Sequence, residues 1–162
     1  MNIEKMSRVQ KLTFSAMVIA LYVVILYFTQ SFSFGAYQIR IATSMYALSY
    51  IFPFLVFPLG LANFIANMLF GGFGIVDMTG GCIVGILTTS CIIMIRKLNL
   101  SRSLMVLPIV LVPGLGVASY LCRFLNMPYS VLAMSLCIGQ IIPAVLGVVL
   151  VRSLEPLLWG FS

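Results

Sequence analysis

The sequence predicts an all-α membrane protein, a bundle of six transmembrane helices in a single membrane domain over residues 1–162. The first observation behind this prediction is composition: of 162 residues, 62% are hydrophobic and 7% are charged, and the mean hydropathy is +1.19. An average globular domain is about 25% charged, so a water-soluble fold of this size would lack the charges to cover its surface. Intrinsic disorder is excluded because it requires low hydrophobicity.

The second observation is the length of the uncharged runs between charged residues. A transmembrane helix needs about 20 mostly apolar residues. The runs that each hold one such helix are 12–39, 78–95, 103–122 and 124–151. The run 41–76 is too long for one helix, and Pro53, Pro58 and Gly60 lie in its middle, so we predict a turn near residues 57–60. The predicted spans are 12–32, 41–57, 60–76, 78–95, 103–122 and 129–151.

The positions of the basic residues favour six spans with both termini in the cytoplasm. Positive charges are enriched on the cytoplasmic side of membrane proteins. Six spans place seven of the nine Lys and Arg residues inside and only Arg40 and Arg123 outside, whereas five spans place four inside and five outside. The net charge of +6 is therefore a topology signal rather than a nucleic-acid-binding patch. Residues 1–28 also resemble a signal peptide, but no A-x-A cleavage site follows, so we expect a retained first helix.

The chain lacks the residue types that most enzymes and metal sites need. It has no His, and its acidic residues are Glu4, Asp77 and Glu155. A His-based zinc site, a Ser-His-Asp triad and a pair of acid–base carboxylates are therefore not expected. Its four Cys residues are scattered without a CxxC pair, which is typical of small buried hydrophobes. No P-loop is present, so we expect no cofactor in this chain, and any ATP would be hydrolysed by partner subunits.

Polar side chains within the apolar segments are the candidate binding residues. Polar groups at membrane depth are costly unless they are paired or line a wet cavity. The candidates are Arg40, Thr43, Ser44, Asn63, Asn67, Asp77, Arg123, Asn126 and Gln140. Most of them lie toward the external half in the six-span topology. Three alternatives stay open: helix N-capping for Asp77, hydrogen bonding between helices for Asn67 and Gln140, and interfacial snorkelling for Arg40 and Arg123.

Two pairs of small residues indicate close helix contacts. Ala16 and Ala20 share a face of the first helix, and Gly81 and Gly85 share a face of the fourth. In lipid, such faces allow a second helix to approach closely. The spacing alone leaves open whether the second helix belongs to the same chain or to a partner.

Several short motifs follow one another in a recognisable order. They are SAMVIALY at 15–22, QIRI at 38–41, PLGL at 58–61, Asn67, Gly71, Gly72 and Asp77, the Gly and Tyr of 116–120, and LNMP at 125–128. Their order and spacing resemble the QueT family, whose members are substrate-binding S components of energy-coupling factor (ECF) transporters. The resemblance implies a six-helix ECF S-component fold in a bacterial plasma membrane.

The resemblance also implies a function and a set of partners. It implies uptake of queuosine precursors or related 7-deazaguanine bases, captured near the outer face, with a transmembrane coupling protein and two cytoplasmic ATPases. It places the docking face of the first helix on Ala16 and Ala20. We expect Asp77, Asn67, Arg40, Thr43 and Gln140 to bind the substrate, with stacking from Tyr46 or Tyr120. The family usually has glutamates where this sequence has Thr43 and Gln140, which favours queuine, a nucleoside or another planar heterocycle over a strongly cationic precursor.

A structural alternative remains beside the transport hypothesis. A membrane scaffold or assembly protein would have a similar small helical bundle but no need for an outward cavity. A dry, fully packed external half would favour it. A membrane enzyme is disfavoured because the chain lacks plausible catalytic groups.

Overall fold

The structure, a computed structural model, describes residues 6–33 and 38–159, apart from the side chains of Phe32 and Trp159. These residues form helices and no strand. The helices are α1 (Arg8–Ser33), α2 (Leu48–Ile51), α3 (Val56–Phe70), α4 (Gly74–Lys97), α5 (Val106–Leu125) and α6 (Tyr129–Trp159). Short 3₁₀ helices precede α2 (Ile41–Ala47), α3 (Pro53–Leu55) and α5 (Arg102–Met105).

Five helical segments in the described residues are long and apolar enough to cross a membrane. They are Arg8–Ser31, Pro53–Phe70, Gly74–Lys97, Arg102–Leu125 and Tyr129–Leu158. The predicted second span, 41–57, is instead a shorter apolar segment, Ile41–Ile51, which we call the central segment. Over its described residues the protein is thus all-helical, with five helices long enough to span a membrane and one short buried segment, as in a multi-pass membrane protein.

The central segment runs between the two ends of α1 although it is short. At one end, the Ser33 hydroxyl donates to the carbonyl oxygen of Ile39 at 3.5 Å, and at the other, the rings of Phe14 and Phe52 lie 4.8 Å apart. A 3₁₀ helix rises about 2.0 Å per residue against 1.5 Å in an α-helix, so seven 3₁₀ residues extend the reach of the segment. The Thr43 hydroxyl favours this geometry by donating to the carbonyl oxygen of Arg40, three residues earlier, at 2.7 Å.

The turn after the central segment lies at Phe52, not at the predicted residues 57–60. Phe52 leaves helical geometry with φ −116° and ψ 83°, because the residue before a proline is disfavoured in the α region. Pro53 then opens the next helix. Pro58 lies in the first turn of α3, where a backbone N–H has no helical partner to lose, so it does not break the helix.

Two apolar clusters of different size hold the bundle together. The main core joins α1, the central segment and α3 to the first half of α5 and the second half of α6, including Ile109 and Ala144. The second cluster consists of Val84, Val117, Ala118, Leu121, Leu132, Ala133 and Leu136. It therefore belongs almost entirely to α5 and α6, with one contributor from α4.

Glycines bring α3 and α4 close together. A Cβ on Gly85 would lie 3.2 Å from the Cα of Gly60, and a Cβ on Gly81 would collide with the side chain of Asn67. For the Gly81 and Gly85 pair, the second helix therefore belongs to the same chain. Ala16 and Ala20 differ, because both are exposed on the outer surface of α1.

The two ends of the bundle differ in chemistry. At the basic end, the Arg96 guanidinium donates to the carbonyl oxygens of Tyr50 and Ile51 at 2.8 and 3.0 Å and so caps the central segment. Arg102 forms an ion pair with Glu155 there, with 2.9 Å between Nε and Oε2. The opposite end, where α1 ends and α4 begins, is called the polar end.

The cysteines are free thiols, as the scattered spacing predicts. The expectation that they are buried is wrong for Cys91, which is exposed on α4, and Cys82, Cys122 and Cys137 are half-buried. A lipid-facing thiol needs no polar partner, so burial is not required for an apolar setting.

Candidate functional site

A buried arginine is the centre of the candidate site at the polar end. Arg40 directly precedes the central segment and is only 6% exposed. Its Nη2 donates to Oδ1 of Asn67 at 2.7 Å and to Oδ1 of Asn63 at 3.2 Å. The two asparagines are four residues apart on α3, so they share a face and receive the guanidinium together. Arg40 therefore points into the bundle, and the snorkelling interpretation is wrong for it.

Asn67 links this arginine to the one acidic group of the site. While its Oδ1 accepts from Arg40, its Nδ2 donates to the backbone oxygen of Asp77 at 2.8 Å and to Oδ1 of the same residue at 3.5 Å. Asp77 is 6% exposed. Its Oδ1 also accepts a hydrogen bond from the Tyr120 hydroxyl of α5 at 3.0 Å.

Asp77 is not the N-cap of α4. The helix begins at Gly74, Phe73 is the N-cap, and Asp77 lies in the first helical turn. Its carboxylate is directed to side chains of α3 and α5 rather than to the N–H groups at the start of its own helix. The Gly-rich turn makes room for it, since a Cβ on Gly71 would lie 2.6 Å from Asp77 Oδ2.

Thr43 and Gln140 connect the central segment to α6. The Thr43 hydroxyl lies 2.7 Å from Oε1 of Gln140 and 2.7 Å from the carbonyl oxygen of Arg40, and shares its one proton between them. Nε2 of Gln140 donates to the carbonyl oxygen of Gln38 at 3.4 Å. Gln140 is 3% exposed and Thr43 is 2% exposed. The interpretation of Gln140 as a hydrogen-bonding residue between helices is therefore confirmed, and its partner is a predicted site residue.

Tyr46 extends the site toward α1. Nδ2 of Asn63 donates to the Tyr46 hydroxyl at 2.7 Å and to the carbonyl oxygen of Gly81 at 2.9 Å. The Tyr46 hydroxyl lies 3.3 Å from that of Tyr22, and the two rings stack with centroids 5.9 Å apart. Both tyrosines are fully buried. Tyr46 therefore packs on Tyr22 on one side and reaches the asparagine pair with its hydroxyl.

One hydrogen-bonded cluster thus contains all seven predicted substrate-binding residues. They are Arg40, Thr43, Tyr46, Asn67, Asp77, Tyr120 and Gln140. They come from five parts of the fold: the central segment with its leading arginine, α3, α4, α5 and α6. The cluster holds one cation, Arg40, and one anion, Asp77, so its formal charges balance. The predicted candidates Arg123 and Asn126 are both exposed, Arg123 in the last turn of α5 and Asn126 directly after that helix.

A small cavity adjoins this cluster. Its polar lining consists of Gln38, Arg40, Thr43, Tyr46, Asn63 and Gln140, and its apolar lining consists of Val84, Pro113, Val117 and Leu136. The volume open to the centre of a water molecule is about 10 Å³, which holds about one water. Asp77 and Asn67 are not part of this lining. Asn67 is linked to it by the hydrogen bond from Arg40, and Asp77 is linked to it through Asn67.

Three members of the cluster were not among the seven residues expected to bind the substrate, although Asn63 was in the wider set of polar candidates. Asn63 carried a usable signal, because it lies four residues before Asn67 and shares its face. Gln38 contributes its carbonyl oxygen, which no side-chain pattern reveals, and its backbone has φ +41°. Tyr22 joins the cluster through packing of α1 on the central segment, which the sequence does not specify.

The predicted docking pair lies away from this cluster. Ala16 and Ala20 are exposed, whereas Tyr22 and Leu26 of the same helix are fully buried against the core. The small-residue face of α1 is therefore not used for packing within the described part of the chain.

Comparison with models of known protein families gives a match over most of the chain. A family model described as the QueT transporter matches residues 12–156, which is most of the chain. No curated protein matches the chain, and no solved structure matches it.

Proposed function

The chain belongs to the QueT transporter family, and from this premise we propose that it is the substrate-binding S component of an ATP-driven ECF importer. The proposed substrate is a queuosine precursor or a related 7-deazaguanine or planar heterocycle, captured from outside the cell. A transmembrane coupling protein and two ATPase subunits would supply the energy. The chain itself would act as a binding subunit in a bacterial plasma membrane and not as an enzyme.

The convergence of polar side chains at the polar end carries this proposal. A buried cation and a buried anion are expensive inside a helical membrane protein, and such groups usually serve a ligand pathway or a ligand site. Arg40 and Asp77 are each 6% exposed and share Asn67 as a common partner. Packing alone is better served by apolar residues of similar volume, so ligand capture explains why these groups are present.

The cluster has the hydrogen-bonding groups that a guanine-type ring needs. Such a ring presents a carbonyl oxygen next to N–H donors on one edge. A carboxylate accepts from two N–H donors, and a guanidinium donates to a carbonyl oxygen, both as charge-assisted hydrogen bonds. Asp77 and Arg40 supply these two groups, and the rings of Tyr46 and Tyr120 supply faces for stacking.

The proposed orientation places the polar end outside. Six crossings, with the central segment counted as one, put both termini and the basic end in the cytoplasm, in agreement with the positive-inside rule. The exposed pair Ala16 and Ala20 then faces the bilayer, where a helix of the coupling protein can approach closely.

Substitution of Asp77 tests the proposal. In calorimetry with queuine, Asp77→Asn is expected to weaken binding about 10- to 150-fold, the net worth of a hydrogen bond to a charged group. Arg123→Gln, an exposed change at the same end, serves as the control and should bind as the parent protein does. An unchanged affinity of Asp77→Asn would remove Asp77 from the site, and no binding by the parent protein would remove queuine as a substrate.

A membrane scaffold is the second candidate, and the size of the cavity favours it. A scaffold needs no ligand cavity, and the cavity beside Arg40 holds about one water. Mass spectrometry of small molecules that co-purify with the protein separates the two functions. A bound heterocycle released on denaturation supports the transport function, whereas a protein free of small molecules that also fails to bind queuine supports the scaffold.

A further inference from the structure

The cavity at the polar end is too small for the proposed substrate. A fused two-ring base occupies the volume of several water molecules, whereas the cavity beside Arg40 holds about one. If the proposed function holds, some part of the bundle has to move to admit the ligand. Three independent features of α5 and α6 identify which part.

The first feature is a pair of prolines inside the two helices. Pro113 in α5 and Pro143 in α6 lack a backbone N–H, so the carbonyl groups four residues earlier, at Ile109 and Gly139, lose their helical hydrogen bonds. Kinks and bends concentrate at such positions.

Both hydrogen-bond gaps lie at about the same height. α5 and α6 pack closely, since a Cβ on Gly114 would collide with Cys137 and a Cβ on Gly147 would lie 3.4 Å from Cδ1 of Ile109. This antiparallel register places residues 109–113 beside residues 139–143. The two helices are therefore weakened together, at one level of the bundle.

The second feature is that the apolar packing divides at the same level. On α5, Ile109 belongs to the main core and Val117 belongs to the second cluster; on α6, Ala144 belongs to the main core and Leu136 to the second cluster. We define the outer halves as residues 113–125 and 129–143. They pack mainly on each other, and Val84 is the member of the second cluster that lies outside them.

The third feature is that polar contacts fasten the outer halves over the site. The Tyr120 hydroxyl donates to Asp77 Oδ1 at 3.0 Å, and Gln140 contacts the Thr43 hydroxyl at 2.7 Å and the carbonyl oxygen of Gln38 at 3.4 Å. A ligand that bonds to Asp77 competes with Tyr120 for the same oxygen. These contacts can therefore be exchanged for ligand contacts.

We propose that the outer halves of α5 and α6 form a gate that swings at the level of Pro113 and Pro143, with the hydrogen bond between Tyr120 and Asp77 as its latch. Opening widens the cavity between the outer halves and the site residues of the central segment and α3. Closure returns the Tyr120 and Gln140 side chains to the site. Ligand entry is the role that rests on the proposed function; the movement itself is a property of the fold.

A ligand-free experiment tests the movement. The background is a chain in lipid nanodiscs with Cys82, Cys91, Cys122 and Cys137 changed to Ala. In this background, Val117→Cys places one thiol in the cavity lining, and the rate at which a water-soluble reagent modifies that thiol measures opening. Adding Tyr120→Phe removes the latch and is expected to raise this rate about tenfold. The matched reporter Ala144→Cys, fully buried in the main core, should stay unmodified in both backgrounds. Equal rates with and without Tyr120→Phe would overturn the gate, and so would a rise at both reporters, which indicates general loosening.

A disulfide clamp tests the role of the gate in ligand entry. A Cβ on Gly116 would lie 2.9 Å from Cγ2 of Val84, so Val84→Cys with Gly116→Cys, in the same cysteine-free background, ties the outer half of α5 to α4. Oxidation is expected to slow queuine association at least tenfold, and reduction should restore it. The control pair, Gly60→Cys and Ile86→Cys, ties α3 to α4, because a Cβ on Gly60 would lie 2.5 Å from Ile86 Cγ1. This control protein should bind queuine at the same rate in the oxidised and reduced states.

The two experiments separate failure of the gate from failure of the proposed function. Equal association rates for the oxidised and reduced clamp would overturn the gate as the ligand entrance. Absence of queuine binding in every form, together with the Tyr120→Phe effect on Val117→Cys labelling, would remove the substrate and leave the gate supported.

Discussion

A methyl group added at Gly81 should displace Asn67 and Asn63 and so break the hydrogen bonds of the polar cluster. A Cβ at this position would collide with Nδ2 of Asn67 and would lie 3.1 Å from Oδ1 of Asn63. Both asparagines are held between Arg40 and α4, so neither can retreat without loss of a hydrogen bond. Gly81→Ala therefore adds only one buried methyl group but affects the hydrogen bonds of the whole site.

The size of the effect follows from the bonds that Asn67 makes. Its displacement weakens the charge-assisted bond from Arg40 at 2.7 Å and the neutral bond to the backbone of Asp77 at 2.8 Å. Such bonds contribute about 1.5–3 and 0.5–1.5 kcal/mol. Replacing a helical glycine by alanine returns about 1 kcal/mol. The expected loss in the free energy of unfolding is therefore about 1–3.5 kcal/mol.

Reversible unfolding in mixed detergent micelles, followed by circular dichroism, measures this loss. Gly72→Ala is the control, because a Cβ there meets nothing within 4 Å, and it should remain within about 0.5 kcal/mol of the parent protein. In the Asn67→Ala background, Gly81→Ala should cost clearly less, because the closer of the two side chains that the new methyl group meets is gone. If Gly81→Ala costs the same with and without Asn67, the contact between Gly81 and Asn67 is not the cause and the reasoning is refuted.

Three further predictions concern the other surfaces of the bundle. Ala16→Trp should abolish uptake by the assembled transporter and leave ligand binding intact, whereas Met94→Trp, a change at an exposed position of α4, should alter neither. Uptake that survives Ala16→Trp would contradict the docking face. Arg96→Ala should lower the free energy of unfolding by about 1.5–3 kcal/mol in the same micelle assay, because the carbonyl groups at the end of the central segment lose their cap. The control Lys97→Ala, at an exposed position, should stay within about 0.5 kcal/mol of the parent protein. Reporter fusions at the two termini should both register the cytoplasm, and opposite locations would refute six crossings.

Much of the fold was predictable because charge and length act locally. Uncharged runs bounded by Lys, Arg or Asp set the positions of α1, α4 and α5 and the start of α6 within about four residues. The end of α6 was predicted at residue 151, whereas the helix continues past Arg152 to Trp159. The turn at Phe52 was predicted too late in the chain, because Pro53 and Pro58 look equivalent in a sequence. Only the structure shows that Pro58 lies in a first helical turn, where it does no harm.

The composition of the site was predictable, but its connections were not. Depth in the membrane identifies Arg40, Asn67, Asp77 and Gln140 as costly groups that need partners. Which partners they find depends on helix packing: Tyr120 reaches Asp77 because a Cβ-free residue, Gly80, lets its ring lie against α4. Spacing along the sequence contains no information about such contacts between α4 and α5.

The contact between Thr43 and Gln140 sharpens the expectation about the substrate. The resemblance expects glutamates at both positions, and the structure places these two side chains 2.7 Å apart. Two carboxylates at that distance would repel unless they shared a proton or held a cation between them. A threonine hydroxyl and an amide instead satisfy each other without charge. The paired change leaves Asp77 as the acid of the cluster, already balanced by Arg40, so the site has no surplus negative charge for a cationic ligand. A planar heterocycle without a basic amine fits this charge balance best and should bind more tightly than queuine, whose side chain carries a secondary amine.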